Sequence, residues 1–175
     1  MPKIFVITGA ASSGKTTTIN YLRQLGYPVS RETARDILEE KTLAPRTIEF
    51  QTELAQRHLS REKEIRASNH DIIFTDRGLY DGIAYCKYFG LENIPEICKT
   101  NVRYDTIFFL EPLNDFEHDG LRVEANQKEA LIIADLIRQE YQTRSMPCVN
   151  VPMDSVAKRA KFILDHLPAG RSARY

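Results

Sequence analysis

The sequence predicts an α/β fold in which a parallel sheet carries helices on both faces. Three observations predict it. Short apolar runs recur along the 175 residues and alternate with longer helical stretches, the order in which parallel strands and their crossover helices are laid down. The runs are continuous instead of alternating apolar with polar, which suits strands buried on both faces. The first run, Ile4-Phe5-Val6-Ile7, leads directly into a turn bracketed by Gly9 and Gly14, with a helix behind it.

Strands are expected at 4–8, at a short stretch near 29–31, and at 71–75, 106–110 and 148–151. Helices are expected at 15–25, 33–40, 47–67, 79–88, 127–141 and 155–167. Gly26 stops the first helix and Pro45 opens the region of the third. The 47–67 stretch is unusually polar, with Phe50, Leu54 and Ile65 as its main apolar anchors. It is read as facing solvent or lining a cleft. Residues 111–124 follow the fourth strand, are charged and turn-rich, and lack periodicity. They are read as a mobile lid loop over an active site. Pro168-Ala169-Gly170 closes the last helix and leaves 171–175 as a frayed tail. No repeat, linker or low-complexity segment interrupts the pattern, so 1–170 is expected to form one domain with a sizeable core.

Composition narrows the partners. Acidic and basic residues balance at 24 each, so the overall charge favours neither nucleic acid nor a membrane surface. Met1-Pro2-Lys3 leads straight into a strand, which reads as the absence of a signal peptide, and no apolar run approaches the length of a membrane span. A cytoplasmic protein without integral membrane contact is expected. Cys86, Cys98 and Cys148 are odd in number and lack CxxC spacing. They read as reduced thiols, neither a disulfide framework nor a zinc site. The histidines are scattered and are assigned no metal.

The residues Gly9, Ala10, Ala11, Ser12, Ser13, Gly14, Lys15, Thr16 and Thr17 carry the clearest chemistry. Two glycines, a lysine and a hydroxyl stand at the offsets of a phosphate-binding loop. The glycines allow a turn so tight that successive amides point into one concavity, and the helix behind adds the positive end of its dipole. Lys15 brings a mobile charge to the outer phosphates, and Thr16 offers a hydroxyl to Mg²⁺. A nucleoside triphosphate is the expected ligand.

In open α/β sheets the ligand lies beyond the carboxyl ends of the strands. The third strand runs Ile72-Ile73-Phe74-Thr75 into Asp76-Arg77-Gly78. Asp76 reads as a partner to Thr16 in the magnesium shell, or as the N-cap of the following helix. Glu32, after the second strand, reads equally well in two ways. It can be a base or water-positioning carboxylate, or an acid complementing the dipole of the helix at 33–40. Arg77, directly after Asp76, and Arg122, in the irregular loop, are candidates for neutralising charge on a transferred phosphoryl group.

Together these segments resemble a known family, the small P-loop ATPase and kinase group often labelled AAA domain. It includes the nicotinamide riboside kinase domain of NadR-type proteins. The resemblance rests on the phosphate loop, on Gly26-Tyr27-Pro28-Val29 leading to Glu32-Thr33-Ala34-Arg35, and on Phe74-Thr75-Asp76-Arg77-Gly78 with Asp81-Gly82-Ile83-Ala84-Tyr85. It continues through Tyr104-Asp105-Thr106-Ile107-Phe108-Phe109-Leu110 and Asp119-Gly120-Leu121-Arg122. It implies a three-layer P-loop NTPase whose five parallel strands run in the kinase-like order 2-3-1-4-5.

The group is also similar to deoxynucleoside and nucleotide kinases. That likeness assigns roles to Glu32 as general base, to Asp76 and Arg77 as the acid–arginine pair and to Arg122 as lid arginine, beside Lys15, which the loop itself makes a catalytic candidate. It implies Mg-ATP as phosphoryl donor and a small, nucleoside-like hydroxyl compound as acceptor. Phe50, Gln51, Glu53 and Arg57 become candidates for acceptor contact, and the segment Val151-Pro152-Met153-Asp154 a candidate for contact with adenine. The chain lacks an Asn/Thr-Lys-x-Asp element for guanine, and it has no room for the helical lid domain of a ring-forming motor. An ATP hydrolase and a nucleotide-dependent, lipid-binding switch are the alternatives. The acceptor and the oligomeric state stay open.

Overall fold

The computed structural model describes residues 2–30, 33–40, 43–113 and 124–168. Its elements follow the chain as β1 (Lys3–Thr8), α1 (Lys15–Gln24), β2 (Val29–Ser30), α2 (Thr33–Glu40), α3 (Ile48–Arg66) and β3 (Ile72–Asp76). Then come α4 (Leu79–Tyr88), a 3-10 turn (Glu96–Lys99), β4 (Thr106–Leu110), α5 (Gln127–Gln142), β5 (Cys148–Val151) and α6 (Val156–Asp165). The expected strands and helices are present, with ends moved by no more than two residues, as fraying and capping allow. The 3-10 turn was not expected; four residues are too few to carry a periodic signal.

Local signals set several boundaries. After α1 the chain closes with Gly26 N donating to Arg23 O and Tyr27 N to Leu22 O, the paired bonds of a Schellman ending. Thr47 caps α3 by accepting from Phe50 N at 3.3 Å, and Asn126 caps α5 by accepting from Glu129 N at 3.1 Å. Each cap satisfies an amide that the first helical turn leaves open, a stabilisation of about 1 kcal/mol.

The five strands form one parallel sheet in the order β2-β3-β1-β4-β5. β1 lies at its centre, and alternate β1 residues serve opposite faces. Ile4 and Val6 pack with Ala55 of α3, Ile83 of α4 and Ile137 of α5. Phe5 and Ile7 pack with Ile19 and Leu22 of α1 and Ile163 of α6. Phe5 lies between Phe74 and Phe108, at ring-centroid distances of 5.8 and 6.1 Å. Full burial of such side chains stabilises the sheet by about 1.5–3 kcal/mol each.

The register brings the site together. Ile7 of β1 pairs with Asp76 at the end of β3, and Thr8 pairs with Phe109 of β4. The phosphate loop therefore leaves the sheet beside Asp76, at the carboxyl edge. Among the described residues no helix is long and apolar enough to cross a membrane. Glu32, Arg122, the segment 114–123 of the expected lid, and the tail 171–175 lie outside the described residues.

Candidate active site at the carboxyl edge of the sheet

The turn after β1 has the backbone that its glycines promise. Gly9 stands at φ 138°, Ser12 at 52° and Gly14 at 73°. Left-handed residues interleaved with ordinary ones turn successive amides toward one side, an anion-binding nest. A side chain at Gly9 would stand 2.1 Å from Leu110 O, so β4 presses directly on the turn. Gly14 is the N-cap of α1 and offers no side-chain cap. Lys15 is 8% exposed, and its Nζ donates to Ala10 O at 2.6 Å and Ser13 Oγ at 3.1 Å. Its charge is thus arched over the loop that bears it.

The end of β3 is bound into the same turn. Arg77 adopts φ 67°, and its backbone N–H continues the sheet by donating to Ile7 O at 3.0 Å. Its Nη1 donates to Gly9 O at 3.1 Å and to Asp81 Oδ2 at 3.2 Å. Asp81 Oδ2 also accepts from Thr8 Oγ1 at 2.5 Å, and Asp81 Oδ1 accepts from Tyr141 OH at 2.6 Å. One buried carboxylate thereby joins β1, β3, α4 and α5. The N-cap of α4 is Gly78, without a side-chain cap, so Asp76 does not stand at the capping position. Asp76 is 7% exposed at the strand end.

A cavity of about 640 Å³ opens from this corner. Loop residues Ala11 to Thr17, Asp76 and Arg77 line one part of it; Ala34, Leu38, Phe50, Gln51, Leu54 and Gly82 line another. The volume lies within the range of small-molecule sites. Phe50 and Gln51 thus sit where the sequence expected acceptor contacts. Glu53 and Arg57 do not line the cavity: Arg57 bonds Glu53 Oε1 at 2.6 Å and both carboxylate oxygens of Glu40, at 2.6 and 2.8 Å, tying α3 to α2. Gln51 donates through Nε2 to Pro45 O, whereas its buried Oε1 has no hydrogen-bond partner among the described residues. Met153, 56% exposed after β5, also lines the cavity.

Behind the cavity lies a chain of phenols. Tyr104 OH accepts from Leu79 N and donates to Glu62, which also lies beside His58 and Arg66. Burial, and then the Asp81 carboxylate, push the Tyr141 phenol well above its ordinary value; burial and Glu62 do the same for Tyr104. Both are neutral donors at physiological pH. For Glu62, burial opposes ionisation, but the neighbouring His58 imidazole, the hydrogen bond from Tyr104 and the nearby Arg66 bring its pKa below the usual range. Burial raises the Cys86 thiol to about 12 and the Cys98 thiol to about 11. All three cysteines are free, and none is a ready nucleophile.

Three residues with a place in this site escaped the sequence reading. Glu124, 2% exposed, accepts from Ala11 N at 3.1 Å and Tyr85 OH at 2.9 Å, which sets a carboxylate against the phosphate loop. Asp81 was visible only as part of a motif, although its spacing of four from Arg77 on a helix start was a readable pairing signal. Arg159, 6% exposed, donates from Nη1 to Ser13 O at 3.1 Å. Its signal was a charged residue in the apolar stripe of α6, three positions after Val156 and four before Ile163.

Thr16 and Asp76, the residues expected at a metal, both line the cavity and carry hard oxygen donors. Two such donors suit Mg²⁺, which keeps waters and takes phosphate oxygens. Among the described residues no group of three or more His, Cys, Asp or Glu side chains is placed to hold a metal.

A P-loop fold of α/β type with a composite cavity at the carboxyl edge of its sheet is the class these features define. A family model described as an AAA domain matches residues 4–159, and the chain belongs to that family. No curated protein matches the sequence. Among solved structures, a NadR protein in complex with NR has a TM-score of 0.74 at 17% identity, over 98% of this chain and 53% of that one. A NadR protein in complex with NAD and AMP-PNP has a TM-score of 0.73 at 17% identity, over 99% and 52%. Deoxyadenosine kinase from M. mycoides, with products dCMP and a flexible dCDP bound, has a TM-score of 0.63 at 16% identity, over 93% of this chain and 97% of that one. The chain spans about half the length of the NadR structures. At these identities the likeness is one of fold.

Proposed function

We propose that the chain is a small-molecule kinase that transfers the γ-phosphoryl group of Mg-ATP to a hydroxyl of a nucleoside-like metabolite. One observation supports this most. The phosphate loop shares its cavity of about 640 Å³ with side chains of α2, α3 and α4, which gives space for a second substrate beside a triphosphate. A hydrolase needs room for water alone. The structural neighbours include a protein bound to NR and a deoxyadenosine kinase, and an acceptor of that class suits a pocket with Phe50 for stacking and Gln51 for hydrogen bonding.

In this reading the amides of Gly9 to Thr17 and the Lys15 ammonium bind the phosphates. Thr16 and Asp76 would hold magnesium, which would supply neutralisation of the phosphate charge. Arg77 keeps the turn at Gly9 in place and offers positive charge at the end of β3; Arg122 adds a second cation. Glu32 takes the proton of the acceptor hydroxyl as its oxygen bonds to the γ-phosphorus and the bond to the leaving ADP oxygen breaks. Adenine lies along Val151 to Asp154.

The experiment is a screen of nucleosides and other hydroxylated metabolites for ATP-dependent phosphorylation, with the Glu32→Gln protein as control. The expected result is an acceptor whose turnover falls at least about 100-fold in that variant, with ATP affinity preserved. ATP hydrolysis at an equal rate with and without every acceptor would replace this reading with a hydrolase. Nucleotide-dependent vesicle binding without turnover would replace it with a switch.

A further inference from the structure

Among the described residues Arg159 is a buried cation without an ion-pair partner. It is 6% exposed, and its one hydrogen bond among the described residues runs from Nη1 to Ser13 O at 3.1 Å. Its Nε has no hydrogen-bond partner among the described residues. Arginine carries five donors in a fixed planar fork, so most of its capacity is unspent. Among the described residues it makes no ion pair. The acid whose charge acts on it, Asp154, is engaged by Ser155 N at 2.6 Å and Lys158 Nζ at 3.1 Å. An uncompensated buried charge is costly to keep, and burial already pulls this guanidinium below its ordinary pKa.

Its position shows where the missing anion goes. The guanidinium lines the same cavity as Ser13, Gly14 and Lys15. It lies so close to the loop that a side chain at Gly14 would meet Nη1 at 2.3 Å. Gly14 therefore serves two needs, a left-handed turn and the passage of a cation from α6 to the start of α1. A purely structural plug would not need a charge here; a methionine would fill the space without the desolvation penalty.

We infer that Arg159 is a phosphate-binding residue of the nucleotide site, pairing its guanidinium with the phosphate chain from the α6 side while Lys15 serves it from the loop. The inference rests on the nucleotide reading above and adds to it a further cation, brought from the far end of the chain. Phosphate oxygens match the planar fork in geometry and supply the absent countercharge. Met153, nearer the strand end and without charge, is left to the base.

Titration calorimetry with magnesium tripolyphosphate, which has no base, and with Mg-ATP tests this on the wild-type, Arg159→Gln and Arg159→Lys chains, with a thermal melt of each. Wild type is expected to bind both probes. Arg159→Gln is expected to weaken both by the same factor, at least tenfold, and Arg159→Lys to recover part of that loss. Weakened ATP with unchanged tripolyphosphate would move the residue to the base and overturn the assignment. Unchanged affinity for both in a folded Gln variant would make it a structural plug. If the Gln variant does not fold, the Lys variant decides: a loss of at least threefold for tripolyphosphate is expected, and none overturns the inference. A wild-type chain that binds neither probe removes the nucleotide reading itself, a result distinct from every failure above.

Discussion

The part of the cavity that carries the phosphate loop is made of backbone, and the part that extends from it is made of side chains. In the first, position is dictated by Gly9, Ser12 and Gly14 at positive φ within a few consecutive residues. In the second, Ala34, Phe50, Gln51 and Gly82 arrive on three different helices. A backbone nest recognises a chemical group common to many ligands, whereas a pocket of side chains distinguishes one ligand from another. The two regions are joined through Asp81, which ties Thr8 and Arg77 at the loop to Tyr141 on α5.

If the loop depends on backbone geometry, a single methyl group should break it. Gly9→Ala would place Cβ 2.1 Å from a β4 carbonyl oxygen at a φ of 138°, and neither the strand nor the turn has a flexible end to yield. The expected cost is about 3 kcal/mol or more, from strain and overpacking together, read as a fall in Tm of roughly 10 °C for a chain of this size. Triphosphate affinity should fall with it. A melt within 2 °C of wild type would show that the loop's shape is not set at Gly9.

Asp81→Ala tests the joint. It removes the carboxylate that accepts from the Thr8 hydroxyl and the Tyr141 phenol and takes from Arg77 one of its partners, all at a side chain only 3% exposed. Removing one partner of a buried pair costs about 3 kcal/mol. Arg77 retains some solvent access, with 15% of its side chain exposed, so the expected loss is at or below that figure. Tyr141→Phe, which removes a single hydrogen bond, should cost about 1 kcal/mol. Equal losses in the two variants would mean that Asp81 merely fills space.

The same division explains what the sequence disclosed. The phosphate loop is contiguous and its offsets are fixed by backbone chemistry, so its place between β1 and α1 could be read directly. The position of Asp76 at the end of β3 was legible because an apolar strand ending in an acid is also local. Glu124, Asp81 and Arg159 were not assigned, since each gains its meaning from a partner far along the chain: Ala11 is 113 residues from Glu124 and Ser13 is 146 from Arg159. Glu53 and Arg57 went the other way. The likeness to nucleoside kinases suggested acceptor contact for them, but the pairing of Arg57 with Glu40 turned them to the α2 interface. Long-range pairing of this kind leaves no periodic trace.

The smallest expected effect falls on the side-chain region and separates it most cleanly from the loop. Gln51 is 2% exposed, spends its amide on Pro45 O at 3.0 Å and keeps a buried carbonyl without a partner among the described residues. Gly82 stands opposite on α4, where an added Cβ would come 3.6 Å from that oxygen. Gln51→Leu exchanges one hydrogen bond for relief of an unsatisfied acceptor, so stability should stay within about 1 kcal/mol of wild type. ATP affinity should stay within about twofold, because no loop atom is touched. For an acceptor that donates to Oε1, kcat/KM should drop roughly tenfold, the worth of a neutral hydrogen bond in a dry site. Parallel titrations of ATP and of the acceptor found by screening would measure both. If ATP weakens as much as the acceptor, the two regions act as one surface and the division between backbone and side-chain recognition fails.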